Sequence, residues 1–247
     1  METLLIAGTD TDAGKTCVTI ALAAYWQKYR FGNNTNQRDR PKRGGFANRL
    51  GIFKLIQTGV GDMELYDRLF VEEESIETIA PLRLTYPVAP PIAAAKEGIK
   101  IELQQIWQSF SSLQQQQDFV LMEALGGLGS PVTSELTVAH IAADWRLPTI
   151  LVVPVRLGAI SQAVANIALA RSLNIDLRGM ILNCTQPVTD TDIADLTPVD
   201  LVESLTQVPI LGILPHINDF GDRDKLAQIV SNWDLEFMLP HKWNGDS

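Results

Sequence analysis

The fold is decided by the stretch Gly8-Thr9-Asp10-Thr11-Asp12-Ala13-Gly14-Lys15-Thr16. An apolar segment of strand length, residues 3–7, precedes it, and an Ala/Leu-rich segment of helix length, residues 17–26, follows it. A strand, a glycine-bounded turn and a helix form the setting of a phosphate-binding loop. The backbone N–H groups of such a turn point at an anion. Lys15 adds a positive charge for the terminal phosphates, and Thr16 supplies a hydroxyl for Mg²⁺.

This loop is one residue longer than the common pattern G-x-x-x-x-G-K-[ST], because Thr9 stands at the first position and Gly8 comes one residue earlier. The longer loop carries Asp10 and Asp12. Two carboxylates beside a triphosphate are unfavourable unless a cation lies between them, and Mg²⁺ or a substrate amine would remove that conflict. An ordinary glycine turn is the alternative interpretation, but the position between a strand and a helix favours phosphate binding.

Composition limits the classes of protein to which the chain can belong. Its 247 residues, 46% of them hydrophobic and 20% charged, suffice for one large domain or two small ones. No run of eighteen apolar residues predicts a membrane span, and no secretory signal is visible at the N-terminus. Cys17 and Cys184 are too few for a disulfide framework, which fits a reducing cytoplasm. The net charge of −9 disfavours nucleic acid as a partner.

Strands and helices alternate along the chain, which predicts an α/β fold of the P-loop NTPase type, with a mostly parallel sheet and helices on both faces. No repeat or second phosphate loop occurs, so we expect a single domain over residues 1–247. Further strands are expected at residues 51–56, 119–123, 149–155, 178–184 and 210–214. Helices after the first, which should end near residue 30, are expected at residues 63–72, 92–97, 103–113, 136–145, 161–173, 198–206 and 223–233.

Two stretches between these elements predict irregular structure. Residues 31–50 read as a polar or disordered insertion, in which Arg38, Arg40, Lys42, Arg43 and Arg49 could bind an anion, although a solvated loop is favoured. Residues 80–91 contain four prolines and predict a rigid extended loop, and Pro91 could occupy the first turn of the short helix expected at residues 92–97.

Charged side chains stand at the ends of two expected strands. Lys54 interrupts an apolar strand end, so it either reaches the surface or points into the ligand crevice beyond the strand ends. Asp62 and Asp67 follow on a helix. Glu123 ends the next strand, before a glycine-rich turn, and suits a metal or water-orienting position in a nucleotide site. A helix-capping or surface acid is the alternative, but phosphate loops usually need such a partner.

Together these motifs resemble the dethiobiotin synthetase family, and the resemblance covers nearly the whole chain. The long phosphate loop is similar to that of the family, which usually has Glu where Asp12 stands. The stretch Lys54-Leu55-Ile56-Gln57-Thr58-Gly59 resembles its lysine motif, and Met122-Glu123-Ala124-Leu125-Gly126-Gly127 resembles its Glu-Gly-Ala-Gly-Gly turn, with Ala124 and Leu125 replacing Gly and Ala. Residues 152–158 and Asn183 also match in order and spacing, although Cys184 stands where the family often has Asp.

The resemblance implies a ligase that carboxylates 7,8-diaminononanoate with CO₂ and closes its ring, using ATP and Mg²⁺. It implies catalytic roles for Lys15 and Lys54, metal ligation by Thr16, Asp62 and Glu123, and substrate contacts from Thr11, Asp12 and Thr58. The nucleotide would contact a larger set, formed by the loop, the acidic strand end and the two later strand ends: Asp12, Ala13, Gly14, Lys15, Thr16, Cys17, Asp62, Glu123, Ala124, Leu125, Gly126, Asn183, Cys184, Pro215, His216 and Ile217.

The resemblance also implies a homodimer with the substrate between subunits, to which residues 87–91 and 158–161 could contribute. Two other classes of ATPase stay open. The glutamine-dependent amidating ATPases carry a further domain with a nucleophilic cysteine, for which this chain is too short. The partitioning and septum-placing ATPases carry a lysine early in the loop, where this chain has Asp10. A family member without activity is a third alternative.

Overall fold

Seven parallel strands form the central sheet of the protein, whose computed structural model describes residues 2–31, 49–70, 73 and 75–239. The strands are β1 (Glu2–Gly8), β2 (Leu50–Lys54), β4 (Ile76–Ile79), β6 (Phe119–Gly127), β7 (Thr149–Pro154), β8 (Leu177–Asn183) and β9 (Ile210–Leu214), in the order β4-β2-β6-β1-β7-β8-β9. Two further short strands, β3 (Gln57–Thr58) and β5 (Arg83–Leu84), pair with each other. The α/β fold with a parallel sheet is therefore confirmed.

Helices cover both faces of this sheet. They are α1 (Lys15–Trp26), α2 (Asp62–Phe70), α3 (Pro90–Glu97), α4 (Leu103–Gln116), α5 (Val138–Asp144), α6 (Ala159–Ser172), α7 (Asp190–Leu196), α8 (Val199–Thr206) and α9 (Arg223–Val230), with a π-helical turn at Gln27–Phe31 and a 3₁₀ turn at Leu235–Phe237. Among the described residues no helix is long and apolar enough to cross a membrane.

The side chains of β1 alternate between two buried cores, one on each face of the sheet. Leu4 and Ile6 pack with the apolar residues of α1, α2 and α9, while Leu5 and Ala7 pack with those of α4, α5 and α6. Alternate residues of a strand point to opposite faces, so a continuous apolar run is what a central strand covered on both sides requires. The strand is therefore fixed from both faces, and the phosphate loop that follows it begins from a rigid support.

Several expected boundaries differ from the structure. Strand β2 ends at Lys54 rather than at residue 56, and α2 begins at Asp62 rather than at residue 63. Within residues 80–91, Arg83 and Leu84 are extended and pair with β3. Pro91 lies in the first turn of α3, as expected, and this helix begins at Pro90 rather than at residue 92. The sequence patterns did not predict β4, which is short and half exposed, or α7, which is short and mostly exposed.

The placement of Glu123 at the end of its strand is also wrong. Strand β6 continues to Gly127, which pairs with Gly8 of β1 after an irregularity in the register. The glycine-rich turn is thus partly strand. The insertion expected at about residues 31–50 lies almost wholly outside the described residues. At its end the backbone N–H of Arg49 donates to the Asp118 carboxylate at 2.8 Å.

Candidate active site

A cavity of about 480 Å³ opens at the carboxyl ends of the central strands, above the phosphate loop. It is the place where parallel α/β sheets bind their ligands. Most of the predicted site residues line it: Thr11, Asp12, Gly14, Lys15, Thr16, Cys17, Lys54, Thr58, Asp62, Glu123, Leu125, Gly126, Asn183, Cys184, His216 and Ile217. Ala13, Ala124 and Pro215 are not among the lining residues, although the first two lie directly behind it.

The turn into α1 depends on Gly14, which has φ of +87°. A Cβ built on Gly14 would lie 1.9 Å from Nδ2 of Asn183, so a side chain has no room there. Asn183 is buried and its Nδ2 donates to the Ala13 carbonyl at 2.9 Å. The end of β8 therefore holds the phosphate loop against the sheet. Asn183, which is predicted to lie beside the nucleotide, contacts the loop itself.

Lys15 is buried and folds back over its own loop. Its ammonium donates to the carbonyls of Asp10 and Thr11, at 3.1 and 3.0 Å. Burial lowers the pKa of Lys15 to about 8, because the desolvation of the ammonium outweighs the attraction of Glu123 and Asp62. Among the described residues only carbonyl oxygens contact this ammonium directly, and an arriving anion would stabilise its charge.

Lys54 and Glu123 are neighbours in register on the adjacent strands β2 and β6. The Lys54 Nζ lies 2.6 Å from Oε1 of Glu123 and 2.5 Å from Oδ2 of Asp62. Burial alone would lower the pKa of Lys54, but the two carboxylates outweigh it and raise the pKa. Of the two interpretations left open for Lys54, the structure supports the one in which it points into the crevice, because its side chain is only 5% exposed and lines the cavity.

Three oxygen-bearing side chains meet beside Lys54. The hydroxyl of Thr16 lies 2.8 Å from Oδ1 of Asp62 and 3.0 Å from Oε1 of Glu123. Burial would raise the pKa of Asp62, but Lys54 and the Thr16 hydroxyl outweigh it, so the pKa lies below its usual value. Asp67 lies outside this group of side chains, because it accepts a hydrogen bond from the Thr78 hydroxyl at an exposed position.

Those three side chains fit a Mg²⁺ site by their chemistry. Among the described residues no group of three His, Cys, Asp or Glu side chains could hold a metal on its own. Mg²⁺ bound with a nucleotide does not need such a group, because it takes one or two carboxylates and completes its shell with phosphate oxygens and water. Two carboxylates and a hydroxyl at the first turn after the phosphate loop match that requirement.

Glu123 is completely buried, and a tyrosine hydroxyl is hydrogen-bonded to its second carboxylate oxygen. The Tyr66 hydroxyl donates to Oε2 of Glu123 in a short hydrogen bond. Burial and the Glu123 charge raise the pKa of Tyr66 well above its usual value, so the hydroxyl keeps its proton. The sequence analysis missed this residue, and only its spacing of four from Asp62 on α2 could have suggested it.

The glycine-rich turn of β6 differs from the family pattern but keeps one required glycine. Gly126 has φ of +51°, and a Cβ there would lie 2.1 Å from the Ser130 hydroxyl oxygen. Ala124 is buried with its carbonyl 3.5 Å from the Lys54 ammonium, and Leu125 lines the cavity. The conformation that only glycine adopts easily is therefore needed at Gly126 and not at the two changed positions.

The comparisons with known proteins cover almost the whole chain. A family model described as "AAA domain" matches residues 2–224. The ATP-dependent dethiobiotin synthetase BioD of Gloeothece citriformis is 56% identical over 97% of this chain and 100% of its own length. The chain belongs to the ATP-dependent dethiobiotin synthetase family. The BioD protein of Crocosphaera subtropica is another relative of this synthetase family, 50% identical over 97% of the chain and 100% of its own length.

Solved structures outside the synthetase family share the fold. The MinC:MinD cell division protein complex of Aquifex aeolicus matches with a TM-score of 0.57 and 15% identity, over 99% of this chain and 100% of its own. A ParA family ATPase of Chlorobium tepidum matches with a TM-score of 0.58 and 13% identity, over 96% of each chain. At such identities the likeness shows a common fold and does not bear on activity.

Three lining residues were missed by the sequence analysis: Ile56, Thr185 and Phe220. Ile56 and Thr185 lie within two residues of Lys54 and Asn183, so proximity to the motifs could have indicated them. Phe220 follows β9 in an irregular segment, and no sequence pattern distinguished it. The cavity thus takes part of its wall from a segment without a motif.

Proposed function

We propose that this cavity binds ATP with Mg²⁺ at the phosphate loop and 7,8-diaminononanoate beyond Lys54, and that it forms dethiobiotin, ADP and phosphate. As a member of the synthetase family the chain is an ATP-dependent ligase of biotin biosynthesis. The observation that carries the assignment of the site is that Lys15, at the start of α1, and Lys54, at the end of β2, line one cavity. A triphosphate and a small acceptor could therefore meet between two ammonium groups.

The reaction would proceed in three steps. One amine of the substrate attacks CO₂ and loses a proton, which gives a carbamate. A carbamate oxygen then attacks the γ-phosphorus of ATP, and ADP leaves, which gives a carbamic–phosphoric anhydride. The second amine attacks the anhydride carbonyl, loses a proton and expels phosphate, and the ring closes. Such chemistry depends mainly on holding the reactants in line and on stabilising charge on the phosphoryl oxygens.

Each ammonium group has a place in that sequence. Lys15 would neutralise the β- and γ-phosphates, because its ammonium lies against the loop whose N–H groups would bind them. Lys54 would stabilise the carbamate and the transferred phosphoryl group from the opposite side. Thr16, Asp62 and Glu123 would hold Mg²⁺, which when bound neutralises phosphate charge. Since Asp62 and Glu123 also contact Lys54, the same carboxylates would hold its ammonium beside the carbamate.

The remaining predicted residues would bind the diamine at its amine end and the nucleotide at its adenine. Thr11, Asp12 and Thr58 line the same cavity, and the Asp12 carboxylate would offset the charge of a substrate amine. Around the adenine we place Asn183 and Cys184 with the segment Pro215, His216 and Ile217. Among these, Asn183 has the best support, because its amide is already fixed by the loop.

The assay that tests this proposal measures ADP release from ATP with Mg²⁺, bicarbonate and the diamine. ADP should appear only when diaminononanoate is present, and the ring-closed product should form in equal amount. Lys54→Ala should lower turnover by orders of magnitude, whereas Lys100→Ala, at an exposed ion pair, should not. ADP release without the diamine, stimulated by DNA or lipid, would instead favour the switch ATPases whose fold it shares.

One feature of the phosphate loop speaks against a switch ATPase. Its Asp10 stands where the partitioning ATPases have a lysine, and Oδ2 of Asp10 accepts from Arg156 at 2.6 Å. The backbone N–H of Thr11 and the Arg156 guanidinium hold the pKa of Asp10 below its usual value. This end of the loop is therefore anchored within its own chain by a carboxylate.

We further propose that the enzyme is a homodimer with the diamine close to the subunit boundary. Large apolar side chains are exposed on three segments, with Leu157 89%, Val60 84% and, on α3, Ile92 54% exposed. Packing against a second copy of the chain would remove such side chains from water. Light scattering should give twice the chain mass, and Leu157→Asp should give a monomer with a raised KM for the diamine.

A further inference from the structure

Helix α2 brings two side chains to the cluster of Lys54, Thr16 and Glu123. Asp62 stands at the first position of α2 and contacts Lys54 and Thr16. Tyr66 stands one turn later and donates to Glu123. Residues four apart lie on one face of a helix. One helix therefore supplies both a carboxylate at the cavity wall and a hydroxyl behind it.

The two oxygens of Glu123 have different partners. Oε1 accepts from Thr16 at 3.0 Å and from Lys54 at 2.6 Å, on the cavity side. Oε2 accepts from Tyr66, and within the part of the chain that the structure describes no other donor reaches it. Glu123 is 0% exposed, so water does not replace a missing partner without a rearrangement. The Tyr66 hydroxyl thus decides which carboxylate oxygen faces the cavity.

Tyr66 has no access to the ligands themselves. It is fully buried, stacks on Phe70 and is absent from the residues that line the cavity. Its hydroxyl also lies beside that of Thr19, which donates to the Lys15 carbonyl at 3.0 Å. The tyrosine therefore links the wall that carries Glu123 to the helix that carries Lys15 and Thr16, without contacting a reacting atom.

We propose that Tyr66 is a positioning residue for the nucleotide–metal half of the site, because it fixes the orientation of the Glu123 carboxylate. This inference rests on the proposed metal role of Glu123. Groups that hold a metal ligand in place typically change metal affinity or activity by about 10–100-fold when they are removed. The ring of Tyr66 fills the core, so the hydroxyl can be removed while the packing is kept.

The test compares Tyr66→Phe with Tyr25→Phe in the full-length protein. Tyr25 lies on α1, and its ring packs at a tilt against that of Tyr29, so its variant removes, from a neighbouring helix, a hydroxyl that does not bond Glu123. In Tyr66→Phe the Mg²⁺ concentration for half-maximal turnover should rise about tenfold. Excess Mg²⁺ should restore much of the rate, and the KM for the diamine should stay near the wild-type value. A lowered Tm with an unchanged Mg²⁺ dependence would overturn the proposal.

A second measurement separates this inference from the proposed reaction. Binding of Mn²⁺ together with ADP, followed by electron paramagnetic resonance, needs no diamine. Tyr66→Phe should weaken Mn²⁺ binding in the wild-type background and have no effect on a Glu123→Gln background. An equal effect in both backgrounds would show that Tyr66 does not act through Glu123, whether or not the diamine reaction takes place.

A measurement on the unaltered residue covers the case in which Tyr66→Phe does not fold. The chain has 4 tyrosines. They can be replaced by 3-fluorotyrosine, and the Tyr66 resonance can be assigned from single variants of the other three. Addition of Mg²⁺ with ADP should shift the Tyr66 fluorine signal, since its hydroxyl bonds the carboxylate that binds the metal. An unshifted Tyr66 signal at saturating nucleotide would refute the proposal.

Discussion

Replacing Lys54 by Met tests the buried charge cluster most directly. The substitution keeps the length of an unbranched side chain and removes the ammonium that contacts Glu123 at 2.6 Å and Asp62 at 2.5 Å. Lys54 is 5% exposed and Glu123 0%, so Glu123 loses a partner that water cannot readily replace, whereas Asp62, which is 36% exposed, is accessible to water. Removing one member of a buried ion pair costs about 3–5 kcal/mol. In a protein of this size, each kcal/mol lowers Tm by roughly 2–4 °C.

We therefore expect Lys54→Met to lower the Tm by roughly 6–20 °C in metal-free buffer at neutral pH. Lys100→Met is the matched control. Its ammonium lies 2.7 Å from the Glu102 carboxylate, a similar distance, but the side chain is 82% exposed. An exposed pair contributes only about 0–1 kcal/mol, so the control should melt within a few degrees of the wild type. Both substitutions remove an ammonium at a similar distance from a carboxylate, and the pairs differ in burial and in the number of carboxylates, two at Lys54 and one at Lys100.

Two further series of thermal melts, one with MgCl₂ and one at falling pH, examine why Lys54→Met is less stable. Excess MgCl₂ should raise the Tm of Lys54→Met more than that of the wild type, because the metal supplies the missing positive charge. The difference between the proteins should also shrink in acid. The pKa of Asp62 is lowered in the fold, so its contribution is present above about pH 3.9, the ordinary Asp value, and is lost as the pH falls through the lowered value. A Lys54→Met protein as stable as Lys100→Met and indifferent to Mg²⁺ would refute this account of the cluster.

Three other outcomes follow from the site. Because the pKa of Lys15 is about 8 before an anion binds, ATP binding should take up protons between about pH 8 and 10, and the affinity for ATP should fall as the pH rises through 8. Calorimetry in buffers of different ionisation enthalpy measures this proton uptake, and its absence would contradict the prediction. Gly14→Ala should abolish nucleotide binding in equilibrium dialysis, since its Cβ would meet Asn183 at 1.9 Å and the residue has a positive φ, and near-normal binding would contradict the loop geometry. Asp12→Asn should raise the KM for the diamine several-fold with little change in the KM for ATP, and the reverse pattern in steady-state kinetics would move Asp12 to the nucleotide.

The sequence by itself determined the phosphate loop and the general architecture. A central strand covered on both faces must be apolar throughout, and residues 3–7 show this directly. Glycines on either side of an acidic turn, followed by Lys15 and Thr16, define the loop locally, because the anion site is made from consecutive backbone groups. The alternation of strands and helices then restricts the topology to a parallel sheet.

Tertiary structure alone decided how the charged groups are combined. Lys54 could have reached the surface or the crevice, and only the register of β2 on β6 places it beside Glu123. Tyr66 carried no signal beyond helical spacing, yet it bonds a carboxylate 57 residues away along the chain. Local patterns record the environment of neighbouring residues, whereas a buried hydrogen bond between two elements depends on how those elements pack. For this reason the phosphate loop could be predicted from nine consecutive residues, whereas the hydrogen bond from Tyr66 to Glu123 could not.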